Sequence, residues 1–297
     1  MNAASPFKRR IEVLIGPLEE WRGLAAGTVL EIVSDGGMDS LAVSCSISKT
    51  IMGSPSPSTV TFKNLAADTR AAIRDGLTKI TVRAGWENTD MHTAFQGSIM
   101  SVESSRSGAD IITIVQAQPG YGALTRGITS QTFGKGMSVE NAVLSLASNL
   151  PGVNVDPARI QGIAGTIGNK GWSFAGSTQN ALTELADEYG FSWSIQDGVF
   201  QAVGDAIGLS GPLLTLNGEN GGLVSVSPVQ NGNEQNQGGV KVSALYVPGV
   251  LPGGMMRVNS SISPQFNGEY RISSASYSLD AKSDAWTMEL ECRKGVS

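Results

Sequence analysis

The side chains that commonly do acid–base chemistry are sparse in this sequence. His92 is the only histidine, so a His-Glu-x-x-His zinc site is excluded. A Ser-His-Asp triad would have to use the same residue. His92 stands in the polar stretch Asn88–His92, which is typical of an exposed connection between strands. We therefore interpret His92 as a surface histidine, and we predict no catalytic residue, no metal site and no cofactor.

Three carboxylates are spaced as on one side of a helix. Glu184, Asp187 and Glu188 lie three and four residues apart, and paired carboxylates can hydrolyse glycosides. Trp172 and Trp193 could line a groove for a sugar or a peptide. The carboxylates, however, share the polar side of an amphipathic pattern, which predicts a solvated helix face. The tryptophans are predicted to pack in the core.

The segment Gly162–Gly171 carries a glycine at every third position. Such a segment invites comparison with a phosphate-binding loop, but it lacks the Gly-Lys-Ser/Thr ending and no clear helix start follows it. We interpret it as a flexible connection.

Composition excludes some classes of protein. The formal net charge of −5 disfavours a sequence-independent nucleic-acid binder, which needs a clustered positive surface. No apolar stretch reaches about 18 residues, so no membrane-spanning segment is expected. The polar, basic start followed by a broken apolar run is a poor signal peptide. Only 16% of residues are charged while 37 of 297 are glycine, which favours strands joined by tight turns.

The two cysteines, Cys45 and Cys292, both fall on the apolar side of alternating strand patterns. They are predicted to be buried thiols that pack as small hydrophobic groups. A disulfide between them stays possible on the sequence alone.

The first third alternates in apolar and polar residues with a period of two, which predicts strands. Asn64 is the predicted N-cap of a short helix that ends at Gly76. The predicted strands are Ile11–Ile15, Val29–Val33, Leu41–Ile47, Val60–Phe62, Ile80–Trp86 and the hairpin Phe95–Val102 with Ile111–Ala117.

The middle of the chain contains a repeat. Ser138–Ala147 and Ser177–Ala186 share five identical positions, and the second begins 39 residues after the first. Each copy predicts a helix with a serine N-cap that runs on to a glycine, Gly152 or Gly190, before a strand. Asp197-Gly198 then predicts a tight hairpin.

The last third returns to strands. The apolar phase changes between Ile272 and Ala275, which predicts a bulge, and Trp286–Cys292 alternates as a half-buried strand. The polar run from 231 to 239 is predicted to be a mobile loop, or one that orders only against a partner.

Several of these motifs, in their order, resemble bacteriophage tail baseplate hub proteins. In the first third the resemblance is carried by Val60–Leu65 before a short helix, by Ile80–Trp86 and by Phe95–Ile99. In the middle it is carried by Gly190–Trp193 and Asp197–Phe200. In the last third it is carried by Leu251–Val258 and Gly268–Ile272.

The resemblance implies a β-rich α+β fold with two tube-type antiparallel β-barrels separated by a small α+β domain. The domains would be a first barrel at 1–124, a middle domain at 125–206 with the helix–strand repeat, and a second barrel at 207–297. It further implies a homotrimer whose two barrels per chain make a pseudo-sixfold ring. That ring would adapt a sixfold tail tube protein to a threefold central spike protein, beside other baseplate proteins. The protein would reside in the virion tail after assembly in the host cytoplasm.

Two alternatives stay open on the sequence. One is a phage-borne peptidoglycan hydrolase that uses the acidic helix and Trp172. The other is a tail-tube or secretion-system protein of the same barrel type.

One loop is a candidate subunit interface. Pro55 and Pro57 alternate with serines between two predicted strands, and prolines cannot pair within a central strand. The loop is therefore expected to project from the barrel rim, and Ser54, Pro55, Pro57 and Ser58 are predicted to contact an adjacent subunit or the next ring of the tail. A free, solvated loop is the competing interpretation.

Overall fold

The computed structural model describes residues 8–16, 29–53, 55–76, 78–86, 90–218, 222–229 and 239–294. Strands dominate these segments and helices are few, which confirms a β-rich α+β fold. The polar run predicted to be a mobile loop lies outside the described residues, apart from Gly239.

Most strands predicted in the first third are present, with bounds shifted by a few residues. The elements are β1 Arg9–Gly16, β2 Leu30–Ser34, β3 Val43–Thr50, β4 Ser58–Lys63, α1 Ala67–Gly76, β5 Lys79–Trp86, β6 His92–Ser107 and β7 Asp110–Gln118. The predicted hairpin of β6 and β7 is confirmed, and its turn is tight because Ser107 pairs with Asp110.

The prediction that Asn64 caps the following helix is wrong. Helix α1 begins three residues later, at Ala67, and Asn64 adopts a left-handed backbone with φ of 58°. Its side-chain oxygen accepts a hydrogen bond from the Ile111 N–H at 2.9 Å, and its amide donates to Asp110 at 2.8 Å. Asn64 therefore ties the end of β4 to β7, because asparagine tolerates this backbone and can bond locally.

The middle of the chain contains the predicted repeat as two strand–helix–strand units. The elements are α2 Tyr121–Arg126, β8 Ile128–Phe133, α3 Val139–Ala147, β9 Asn154–Gln161, β10 Trp172–Ser177, α4 Thr178–Tyr189, β11 Phe191–Gln196 and β12 Val199–Gly204. Strands β8 and β10 pair with each other, and β9, β12 and β11 form a second small sheet.

The two repeat helices bury the same positions. Each buries its first, fourth, fifth, eighth and ninth residues, which form one buried stripe that is apolar except for Thr178. Helix α4 ends as predicted at Gly190, whose φ is 69°. Helix α3 ends earlier than predicted, at Ala147, and Gly152 lies in the turn that precedes β9.

The last third forms strands again. The elements are β13 Leu209–Asn217, β14 Leu223–Pro228, β15 Val240–Leu245, β16 Gly254–Asn259, a 3-10 turn at Pro264–Phe266, β17 Gly268–Asp280 and β18 Trp286–Lys294. The predicted bulge is confirmed, because the register of β17 against β18 slips between Ile272 and Ser274.

Among the described residues, strands from the first and the last third of the chain form one 13-stranded sheet. In the first part the pairing order is β3-β4-β7-β6-β5-β1, and in the last part it is β14-β15-β18-β17-β16-β13. The two orders correspond strand for strand, except that β13 runs parallel to β16 whereas β1 runs antiparallel to β5. Strands β17 and β3 join the two halves.

The buried apolar residues fall into two clusters. One includes residues from Ile11 to Ala117 and from Leu216 to Cys292, so the two halves of the large sheet share a core. The other runs from Ala123 to Ala202 and lies between the repeat helices and their sheets.

Candidate assembly surface

Of the side chains that the sequence identified as candidates for chemistry, Trp172 and Glu184 lie together, whereas His92 lies elsewhere, on β6. His92 is exposed at the start of β6. Glu184, Asp187 and Glu188 are exposed on α4, as predicted for a solvated face. Within the described segments, no group of three or more histidine, cysteine, aspartate or glutamate side chains could hold a metal ion.

Both tryptophans pack against aromatic rings. Trp193 is buried and stacks on Phe200. Trp172 is half-buried between Phe133 and Phe174, with nearly parallel rings whose centroids lie 5.5 and 5.7 Å away. Its indole N–H donates to Glu184 at 2.9 Å. The Trp172 side chain is therefore engaged in packing within the small sheet of β8 and β10 and in a hydrogen bond to α4.

The glycine-rich segment between β9 and β10 is a connection, as predicted. Gly162, Gly165 and Gly171 adopt positive φ. Ile163 and Ile167 anchor it in the middle core.

Cys45 and Cys292 are buried, free thiols. Burial raises the pKa of each thiol to about 12. The Cys292 Sγ lies 3.3 Å from the Met256 Sδ inside the core of the large sheet.

A buried polar junction holds the middle unit on the large sheet. Lys49 is 3% exposed, and its ammonium lies 2.7 Å from the Asp197 carboxylate in the turn between β11 and β12. The Gln196 amide donates to the Thr50 carbonyl at 2.8 Å, and the Gln201 amide donates to the Pro252 carbonyl at 2.8 Å. Hydrogen bonds thus reach from the middle unit to both halves of the sheet.

The sequence did not reveal this junction. Asp197 was identified only as part of a hairpin turn, and both turn residues have the positive φ that such a turn needs. One signal was present: Lys49 continues the buried phase of Val43, Cys45 and Ile47 along β3. A charge in that phase indicates a partner, because a buried charge is stable only when it is paired.

The structure places the proline loop partly within the molecule. Pro55 and Ser58 are buried, Pro57 is exposed, and Ser54 lies outside the described residues. The Ser58 hydroxyl accepts the Ser48 N–H at 3.1 Å. At the near end of the loop, the Gly53 carbonyl accepts a bond from Gln179 at 3.0 Å. The predicted contact of this loop with another subunit stays a prediction, and Pro57 is the member best placed to make it.

Several large apolar side chains are exposed away from this loop. Val224 is 60% exposed on β14 and Leu245 is 51% exposed at the end of the neighbouring strand β15. Strand β14 ends one side of the large sheet. Exposed edge strands offer unpaired backbone groups to another chain.

None of the helices described is long and apolar enough to cross a membrane.

Comparison with solved structures identifies the class of fold. A tail protein from Neisseria meningitidis MC58 matches with a TM-score of 0.64 and 12% identity, over 97% of each chain. The 43 kDa tail protein of prophage MuSo2 from Shewanella oneidensis matches with a TM-score of 0.60 and 10% identity, over 95% of this chain and 96% of that one.

A type VI secretion system component from E. coli also matches. Its TM-score is 0.58 at 11% identity, over 87% of this chain and 75% of that one. That protein is described as structurally similar to the T4 bacteriophage tail proteins gp27 and gp5. The fold is therefore that of phage tail proteins and their secretion-system counterparts.

A match of the amino-acid sequence to a family model identifies the family within this class of fold. Residues 29–292 match the family described as baseplate hub gp41. The chain belongs to this family of phage baseplate hub proteins, as the order of its motifs predicted. No individual curated protein matches it.

Proposed function

We propose that this chain is the structural hub of a phage tail baseplate and assembles as a homotrimer. Each half of the large sheet forms one tube-type barrel. Three chains then supply six barrels to a pseudo-sixfold ring. The ring joins a sixfold tail tube protein on one face and a threefold central spike protein on the other, within a baseplate assembled in the host cytoplasm.

The correspondence of the two sheet halves carries this proposal. The pairing order around β6 and β7 is repeated around β17 and β18, so one chain presents two similar units. Two similar units in each of three chains give six similar units, which match a sixfold partner, while the three chains themselves match a threefold partner. Closed rotational symmetry is also the common form of soluble homo-oligomers.

The role is structural and not catalytic. The family is one of baseplate hubs, and the tryptophan proposed for a hydrolase groove packs against Phe133 and Phe174. The similarity to a type VI secretion component supports a second candidate, a hub of a secretion system built on the same fold.

Light scattering of the purified protein tests the proposal. A trimer would have a mass of about 93 kDa, three times the 30.9 kDa of the chain. We expect this mass for the chain alone at micromolar concentrations, or a mass raised by the bound spike protein when the spike is present, and a ring with six similar lobes in electron microscopy. Only monomer under both conditions would overturn the proposal.

A further inference from the structure

The two long hairpins of the large sheet carry the same irregularity at the same place. In the β6–β7 hairpin the register slips between Ile99 and Ser101. In the β17–β18 hairpin it slips between Ile272 and Ser274. Each bulge skips one residue after an isoleucine, so Ser101–Ser107 of β6 corresponds to Ser274–Asp280 of β17.

The strands beside these hairpins correspond in register as well. Ser58 of β4 pairs with Ala117, and Val240 of β15 pairs with Cys292, the equivalent position of the other hairpin. One strand further out, β3 lies on β4 as β14 lies on β15. In this alignment Ser46 of β3 corresponds to Ser227 of β14.

The bulge is where a long strand changes its neighbour. Before its bulge β17 pairs with β16, and after it residues Ser274–Asp280 pair with β3. Strand β6 pairs with β5 before its bulge. After the bulge, the corresponding edge of β6 has no strand partner within the described residues, and Glu103–Ser107 are exposed.

Strand β14 is the complementary element. It is the counterpart of β3, yet among the residues that the structure places it pairs with β15 alone. Its outer residues Val224, Ser225 and Ser227 are exposed. Within the described residues, the later part of β6 and strand β14 therefore each have one edge without a strand partner. Their counterparts, β17 and β3, pair with each other inside the chain.

We propose that β14 of one copy pairs antiparallel with Ser101–Ser107 of β6 in the next copy of the chain. This inference rests on the proposed ring and specifies how its subunits join. In such a ring, the internal pair of β17 with β3 alternates with the intermolecular pair of β6 with β14. Every barrel is then linked to its neighbour by the same kind of strand addition.

The internal pair fixes the expected register. Ser46 lies opposite Ser278, and Ser44 lies opposite Asp280. Transferred by the correspondence, Ser227 of one copy lies opposite Ser105 of the next. One residue further along, Val226 lies opposite Arg106. The proposed pair of Ser227 with Ser105 between copies thus corresponds to the internal pair of Ser46 with Ser278.

The directions of backbone groups agree with this register. The Val229 N–H donates to the Gly239 carbonyl on the β15 side, so Val226 and Pro228 direct their backbone groups to the free edge, because directions alternate along a strand. The Ile111 carbonyl accepts from Asn64 on the β4 side. Ile112 and its partner Ser105 therefore face each other, which leaves Arg106 and Ser104 facing the free edge of β6.

Val226 and Arg106 can accordingly exchange two backbone hydrogen bonds. Pro228, opposite Ser104, accepts a bond through its carbonyl but donates none. A proline is tolerated at this position because β14 is an edge strand in the single chain.

Cysteine cross-linking tests the register. Ser105 and Ser227 form a non-hydrogen-bonded pair, for which the Cα atoms lie about 4.5 Å apart, within the range that a disulfide spans. Chains with Ser105→Cys are mixed with chains with Ser227→Cys, oxidised mildly, treated with an alkylating reagent and separated without reductant. We expect a covalent dimer from the mixture, and covalent trimers from a chain that carries both substitutions.

The matched control replaces Ser105→Cys with Ser101→Cys. Ser101 lies on the same strand and face, but four residues away, which is about 13 Å at the rise of a strand. Ser101→Cys mixed with Ser227→Cys should give no dimer. The native thiols Cys45 and Cys292 are buried and do not take part.

The outcomes separate this inference from the proposed function. A trimer by light scattering without the Ser105–Ser227 disulfide would overturn the strand pairing and leave the hub proposal standing. Equal cross-linking of Ser101 and Ser105 would overturn the register. A protein that stays monomeric with and without the spike would contradict the hub proposal itself, and the strand pairing with it.

Discussion

At the scale of single residues, Lys49 is a buried charge that links the large sheet to the middle unit. It follows Val43, Cys45 and Ile47 on the buried face of β3, where an unpaired ammonium would be costly. Asp197 supplies the compensating charge from the turn between β11 and β12 of the middle unit. The Lys49 ammonium also lies 5.8 Å from the centre of the Tyr277 ring, which adds an aromatic partner from the second half of the sheet.

Replacing Asp197 with asparagine tests this pair. Asparagine keeps the turn, since it is favoured there, but it leaves the Lys49 charge without its partner. Removing one partner of a buried ion pair costs about 3 kcal/mol, so the urea midpoint of unfolding should fall clearly. The control is Glu289→Gln, which breaks the surface pair of Lys241 and Glu289, whose side chains are 46% and 53% exposed. That change should cost less than about 1 kcal/mol; equal losses for both variants would refute the role of the junction.

The two thiols give a second prediction. Burial raises the pKa of Cys45 and of Cys292 to about 12. At pH 8 both stay protonated and shielded, and the thiolate is the reactive form. A disulfide-forming thiol reagent should therefore label neither cysteine in the folded protein at pH 8 and both after denaturation in guanidinium. Rapid labelling of the folded protein would show that one of these strands opens.

At the scale of elements, the repeat helices differ in one detail that the sequence does not show. Both begin after a serine in extended conformation. Ser138 accepts a hydrogen bond from the Asn141 N–H at 3.3 Å, whereas the Ser177 side chain makes no capping bond. Both serines thus occupy the predicted N-cap position, but only Ser138 makes a capping hydrogen bond with its side chain.

Serine-to-alanine substitutions should separate the two helices. Ser138→Ala removes a capping bond and should lower the free energy of unfolding by about 1 kcal/mol. Ser177→Ala removes none and should cost no more than a few tenths of a kcal/mol, on the order of an ordinary surface substitution. Urea unfolding of the full chain, followed by circular dichroism, measures both, and an equal loss would contradict the difference in capping.

At the scale of the whole molecule, the proline loop is a predicted interface with other subunits, but part of the same loop also stabilises the fold of the single chain. Deleting residues 54–58 would also remove Ser58, which is buried and accepts the Ser48 N–H. A substitution at the exposed Pro57 is a cleaner test, because it leaves the β3–β4 pair intact.

Pro57→Asp should leave the chain folded but weaken its assembly into the tail. A carboxylate placed in a contact with another subunit must lose its water, which is costly without a partner. Circular dichroism verifies folding, and electron microscopy of tails that carry the variant measures incorporation. Pro157→Asp, at another exposed proline, should incorporate normally. Normal tails from Pro57→Asp would show that the loop is only solvated.

The sequence by itself determined the local structure. Period-two alternation located most strands, the phase change after Ile272 located a bulge, and Asp197-Gly198 located a hairpin, because each depends on neighbouring residues alone. The repeat of Ser138–Ala147 in Ser177–Ala186 likewise predicted two helices that bury equivalent positions.

Only the tertiary structure decided which distant segments meet. Asn64 looked like a cap in sequence, but its side chain instead bonds to β7, across 46 residues of chain. Lys49 and Asp197 are 148 residues apart, and β3 pairs with β17 across more than half of the chain. Strand pairing is set by backbone hydrogen bonds that are nearly the same for any sequence, so the local pattern predicts a strand without naming its partner. The partner is chosen by which pairing buries the apolar faces together, and that is a property of the whole fold.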